Sequence, residues 1–102
     1  MVARGEIWWG ESDEKGRPFL VVSRDAANEV MRRVLVAPVT SRAREIPSEL
    51  AVGSAEGLPR PSVASFDNLQ PFPKAMLVRR LGALAPERHH AICQAAAATL
   101  DC

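Results

Sequence analysis

Between residues 5 and 84 the chain alternates short apolar runs with stretches of turn-forming and charged residues, a rhythm of strands rather than helices. GEIWWG (5 to 10) reads as a first strand, aromatic and branched, closed by glycine. After the charged loop ESDEKG (11 to 16) comes PFLVVS (18 to 23), apolar on both faces and therefore a central strand. RDAANEVMRR (24 to 33) is a polar connection with room for a helical turn, and VLVAPVT (34 to 40) is the third strand. ELAV (49 to 52) and SVASFDNL (62 to 69) read as short strands flanking a loop rich in Gly, Pro and Ser; QPFP (70 to 73) reads as a turn. AMLVRRLGAL (75 to 84) is the last strand.

From Pro86 the period changes. Proline in a first turn, Glu87 at the positive dipole end and an alanine-rich run predict a C-terminal helix, with Ile92, Ala96 and Leu100 as its apolar stripe. Strands followed by one helix predict a mainly β fold, a small barrel or curved antiparallel sheet with a helix packed on it. At 102 residues this is a single domain, 1 to 102, with no internal repeat, and long enough for one modest core.

Composition narrows the class. Hydrophobic residues make up 47% and charged residues 25%, as in a folded globular chain, and no apolar run approaches the ~20 residues that span a bilayer. MVARGEIWW lacks the apolar stretch of a signal peptide, so a cytoplasmic location is expected. Cys93 and Cys102 are separated by roughly 13 Å of rise if both are helical, too far to bridge, and reduced thiols are expected. Neither these cysteines nor His89 and His90 show paired metal-ligand spacing, so no metal or cofactor is expected. On a helix the two histidines diverge by about 100° and read as surface residues. A net charge of +1 argues against a protein that coats DNA, although eleven of the thirteen basic residues are arginine, whose planar fork suits phosphate.

The candidate chemistry sits at the mouth of the second strand. Gly16 permits a turn and Pro18 cannot donate to a ladder, which places Arg17 on the strand's lip, where an arginine ordinarily meets water. The connection of about ten residues lets the second and third strands pair as antiparallel neighbours. With Ser23 opposite Val34, the same register sets Arg17 opposite Thr40, with Ser41 alongside. Opposed residues have Cβ atoms roughly 5 Å apart, so a fixed cation and a hydroxyl share one end of the hairpin. Such a pair can hold a phosphate and stabilise the charge of a pentacoordinate phosphorus.

Five segments in order carry a resemblance: R-G-E-I-W from Arg4, G-R-P followed by L-V-V-S from Gly16, V-x-P-V-T-S from Val36, S-V-x-x-x-D-N from Ser62 and R-x-G-x-L from Arg80. Together they resemble the MazF/PemK toxins of bacterial toxin-antitoxin systems, over Arg4 to Leu100. The resemblance implies a homodimer of an SH3-like barrel that cuts single-stranded RNA in a sequence-specific, metal-independent way, leaving 2′,3′-cyclic phosphate and 5′-hydroxyl ends and so inhibiting translation. It implies catalytic roles for Arg17 and Thr40, with Asp67 or Glu14 as the candidate base. Ser41, Asn68, Trp9 and Asp13 are the expected RNA contacts. Where many relatives carry a glutamate five residues before the arginine, this chain has Ser12, and Glu11, Asp13 and Glu14 are the alternatives in that loop. A cognate antitoxin is expected to lay an extended acidic segment across the RNA groove.

The remaining features have plainer readings. Trp8 and Trp9 face opposite sides of a strand, one for the core and one free to stack on a base or a partner. Arg79 and Arg80 end a strand on the surface, with RNA or antitoxin as possible contacts. Phe66 is core. Loops 11 to 16 and 53 to 61 are where RNA specificity is expected. Two rival readings are a gyrase poison resembling CcdB and a catalytically silent binding module. The former acts through a C-terminal tryptophan segment, whereas this chain ends TLDC with no tryptophan nearby.

Overall fold

The computed structural model describes residues 1–12 and 15–101. Its strands are β1 (Glu6–Glu11), β2 (Gly16–Val21), β3 (Arg33–Thr40), β4 (Glu49–Val52), β5 (Ser62–Ser65), β6 (Gln70–Pro73) and β7 (Leu77–Ala83), with helices α1 (Asp25–Val30) and α2 (His90–Leu100). They form one antiparallel sheet in the order β4-β5-β3-β2-β1-β7, with β6 also paired to β3. The fold is the expected one, a curled, mainly β sheet with a C-terminal helix packed against it.

The apolar run of β2 explains why it is interior. Successive residues alternate sides, so Leu20 enters a cluster with Ile7, Ala37, Val39, Phe66 and the helical Ile92 and Ala95. Phe19 and Val21 enter a second cluster with Val2, Val34, Val36, Phe72 and Leu77. The β2–β3 hairpin is therefore held by apolar packing on both faces.

Its register is the expected one: Phe19 pairs with Pro38, Leu20 with Ala37 and Val21 with Val36. Polar residues in the connection lock it. Ser23 Oγ donates to Asn28 Oδ1 at 2.5 Å, Asn28 Nδ2 donates to the Ser23 carbonyl at 2.9 Å, and the Leu35 amide donates to Ser23 Oγ at 3.0 Å. Asn28 is 2% exposed. Replacing Asn28 by Ala strands the Ser23 groups beneath α1, and an unfolding titration should show a loss of about 1–3 kcal/mol. A wild-type midpoint in that variant would mean that the register is held by apolar packing alone.

Five expectations need correction. The strand predicted over 62 to 69 ends at Ser65, where Phe66–Asn68 turn as a short 3-10 helix that drops Phe66 into the core. Gln70–Pro73 is a strand, not a turn: it pairs with Arg33–Val36, and Pro71 and Pro73 are accommodated because β6 has no second neighbour to receive their missing N–H groups. The stripe of α2 is Ile92 with Ala95, flanked by Ala91 and Ala96, while Leu100, in the last turn before the C-cap Asp101, is 72% exposed. His89 is half-buried, with its ring over Gly5; a Cβ at Gly5 would lie 2.6 Å from His89 Nε2, and Gly5 also has a φ of 89°. The expected last strand is shorter, beginning at Leu77 after a 3-10 turn over Lys74–Met76.

Candidate active site

Along one edge β3 changes partner. Arg33–Val36 pair with β6, whereas Val39 and Thr40 pair with β5. Pro38 lies in the gap between the two pairings, and its partner across β2, Phe19, is not part of that edge. A residue without an N–H is suited to such a gap because it leaves no donor unpaired. The 3-10 turn Phe66–Asn68 follows β5 into the region between β5 and β6. The space that remains is a cleft of about 120 Å³ lined by Pro38, Arg17, Thr40, Ser65 and Asn68, and by Arg42, Arg44 and Glu49 from the approach to β4.

Arg17 and Thr40 thus line one cleft. Arg17 is exposed and Thr40 half-buried, and the β2–β3 register continued two residues past Phe19 and Pro38 sets them opposite each other. The Thr40 hydroxyl oxygen accepts the Arg42 amide at 3.2 Å, which leaves its own proton to be donated outward. Asn68 Nδ2 donates to Ser65 Oγ at 2.9 Å, which fixes the side-chain amide at the wall. Three guanidinium groups face one carboxylate here, so the lining is net positive and fit to attract a phosphate.

The other expected residues are distributed around this cleft. Asp67 is exposed, is not among the lining residues, and its Oδ2 accepts a hydrogen bond from Ser48 Oγ at 2.8 Å. Ser41 is exposed just beyond Thr40. Trp9 is half-buried and its indole covers Gly16, whose missing Cβ is what allows the ring to lie against the chain; the glycine serves a close contact as well as the turn. Glu11 and Ser12 are exposed, while Asp13 and Glu14 lie outside the described residues, so the expected base Glu14 and RNA contact Asp13 have no structural account. Arg42, Arg44, Glu49 and Ser65 were not singled out from the sequence; the one available signal was the R-A-R spacing after Thr40.

On the opposite side of β1, Trp8 packs against the second cluster and its Nε1 donates to Glu6 Oε1 at 3.0 Å. Burial alone would push the Glu6 carboxyl up. Hydrogen bonds from Trp8, the Ala3 amide and Arg80, together with the Arg80 charge, outweigh it and hold the group below its ordinary value. Arg80 is tied to Glu6 at 2.9 Å, whereas Arg79 is an exposed surface residue with no ion pair among the described residues. Among the described residues no group of three His, Cys, Asp or Glu side chains could hold a metal ion, and no helix is long and apolar enough to cross a membrane.

Residues 3–100 match the family model of the PemK-like, MazF-like toxin of type II toxin-antitoxin systems. The chain is 45% identical to the probable endoribonuclease MazF5 of Mycobacterium tuberculosis, over 98% of this chain and 94% of that protein. It is 34% identical to the probable endoribonuclease MazF2 of the same species, over 97% and 98%. The solved structure of the Mycobacterium tuberculosis toxin MazF-mt6 superposes with a TM-score of 0.86 at 33% identity, over 94% of this chain and 96% of that one. An endoribonuclease in complex with its cognate antitoxin, from a mycobacterial species, gives a TM-score of 0.87 at 28% identity, over 99% and 96%. A cleft built from Arg17 and Thr40 on this sheet, with the family pattern running almost from end to end, makes this chain a member of the PemK-like, MazF-like toxins of type II toxin-antitoxin systems.

Proposed function

We propose that the protein is an endoribonuclease toxin that cuts single-stranded RNA by attack of a ribose 2′-hydroxyl on the adjacent phosphorus. The O2′–P bond forms as the P–O5′ bond breaks, leaving a 2′,3′-cyclic phosphate and a 5′-hydroxyl. The observation that carries this reading is the meeting of Arg17 and Thr40 in one positive cleft. Arg17 supplies a permanent cation beside the phosphorane, where a metal ion would otherwise be needed. Thr40 donates its free proton to a non-bridging oxygen, while its lone pairs are oriented by the Arg42 amide. A carboxylate, Asp67 or Glu14, takes the 2′-proton, and a water molecule gives a proton to the leaving 5′-oxygen late in the step. Ser41, Asn68, Trp9 and Asp13 contact the RNA around the scissile phosphate.

The protein acts as a homodimer in the cytoplasm, cutting cellular RNA and thereby arresting translation. Its cognate antitoxin silences it by laying an extended acidic segment over the arginines of the cleft. The complex of a similar endoribonuclease with its antitoxin supports this partner.

One experiment tests the reaction. A long RNA incubated with the protein in excess EDTA should yield new 5′-hydroxyl ends at a short recurring word, and methylation of the 2′-oxygen at that word should block cutting. The matching DNA strand, lacking the attacking hydroxyl, should survive. Cleavage of DNA or of methylated RNA would rule out 2′-attack, and a protein that leaves RNA intact while inhibiting gyrase would belong to the rival reading.

A further inference from the structure

The eight residues from Ser41 to Ser48 carry no regular structure, yet two of their arginines face the cleft. Two side chains hold this segment in place. Thr40 Oγ1 accepts the Arg42 amide at its start, and Glu49 Oε1 accepts the amides of Arg44 at 2.8 Å and Glu45 at 3.0 Å. The turn between them passes through Glu45 at a φ of 57°, a left-handed conformation that a non-glycine residue keeps only when its surroundings enforce it. Glu49 itself is fixed at the start of β4, paired with Ser65 of the cleft wall. Its carboxylate is therefore engaged with backbone amides at the point from which Arg44 projects.

We infer that Glu49 is a positioning residue that holds the Arg44 end of the segment, as Thr40 holds the Arg42 end, so that the two arginines clamp the RNA phosphate next to the scissile one. This rests on the ribonuclease reading above and deepens it. Arg17 and Thr40 suffice for one phosphate, and a cleft of about 120 Å³ with two further guanidinium groups at its rim exceeds what a single phosphate requires. The adjacent phosphate of a single strand is one backbone repeat away, within reach of arginines on a neighbouring loop. Glu49 is the one carboxylate among the lining residues, which also makes it a candidate base, and the two roles differ in what glutamine can replace. A glutamine oxygen still accepts two amide hydrogen bonds but cannot take a proton.

The probe is an RNA oligonucleotide carrying the word that the wild-type protein cuts, methylated at the attacking 2′-oxygen, with binding read by fluorescence anisotropy over a salt series. The double variant Arg42→Ala/Arg44→Ala, on an exposed segment, should raise Kd by at least tenfold and reduce the slope of log K against log salt by about 0.7, the share of one phosphate on a single strand. Glu49→Ala should weaken binding in the same direction, raising KM for the unmethylated RNA more than it lowers kcat, and Glu49→Gln should restore most of the lost affinity. A Glu49→Gln variant whose kcat falls ~100-fold or more would identify a base instead of a positioning group. Arginine variants that bind with the wild-type salt slope would also overturn the clamp. If the wild-type protein cuts RNA and these variants are indistinguishable from it, only the clamp fails; if the wild-type protein neither binds nor cuts RNA, the ribonuclease reading fails and takes the clamp with it.

Discussion

Arg17→Ala should lose roughly 10³-fold in kcat/KM on RNA, about 4 kcal/mol of transition-state stabilisation, while unfolding at the wild-type temperature. The two halves of this result have separate origins. The side chain is exposed at the end of β2 and makes no hydrogen bond or ion pair among the described residues, so its removal is expected to leave the packing of Phe19 and Leu20 unchanged. In the proposed reaction, by contrast, negative charge gathers on the phosphorus beside the guanidinium. Arg17→Lys should fall between the two, since lysine restores the charge without the planar fork. Single-turnover cleavage and a thermal melt on the same preparations check both halves. Cutting at the wild-type rate by Arg17→Ala would remove this residue from the site.

The second large effect is on the fold. Glu56 is 5% exposed, and both its oxygens are engaged: Oε1 with the Gly53 amide at 2.6 Å and Oε2 with Arg88 Nη1 at 3.0 Å. Arg88 also donates through Nη2 to the Ala51 carbonyl at 2.6 Å, so it ties the turn before α2 to β4 and to the segment that follows it. Arg88→Ala should cost about 3 kcal/mol, because it leaves a buried carboxylate without its cation; the low end of the usual range applies since the arginine is partly exposed. For a chain of this size that lowers Tm by roughly 10–15 °C. Changing both partners, Glu56→Gln with Arg88→Met, should cost less than Arg88→Ala alone, because no charge is then stranded. Equal losses in the two variants would show that the lost contacts, and not the unpaired charge, set the effect.

The β2–β3 register and the meeting of Arg17 with Thr40 were legible in the sequence by counting outward from Ser23 opposite Val34 along two apolar runs, although a connection of about ten residues does not by itself fix register. What locks that register was not legible. Ser23 and Asn28 belong to a polar stretch that reads as solvated, and nothing in RDAANEVMRR announces that Asn28 turns inward under α1. β6 was hidden by Pro71 and Pro73, which argue against a strand unless its free edge is known. Arg42, Arg44 and Glu49 were missed because segment 41 to 48 has no periodicity to place it, and a carboxylate that binds its own loop leaves no spacing signature. Leu100 fitted the four-residue period of α2, but a period does not say which of its positions the core reaches.

The two-sided burial of β2 and β3 has a consequence for how the protein moves. Amide hydrogens along Leu20 and Ala37 can exchange with solvent only when both apolar clusters open, an event close to global unfolding, whereas segment 41 to 48 can open by releasing a few hydrogen bonds at the rim. Arg17 and Thr40 stand at the end of the slow element, and Arg42 and Arg44 on the fast one. The backbone that sets Arg17 opposite Thr40 is therefore expected to persist for the lifetime of the folded state, while the hydrogen bonds at the rim open and close within it.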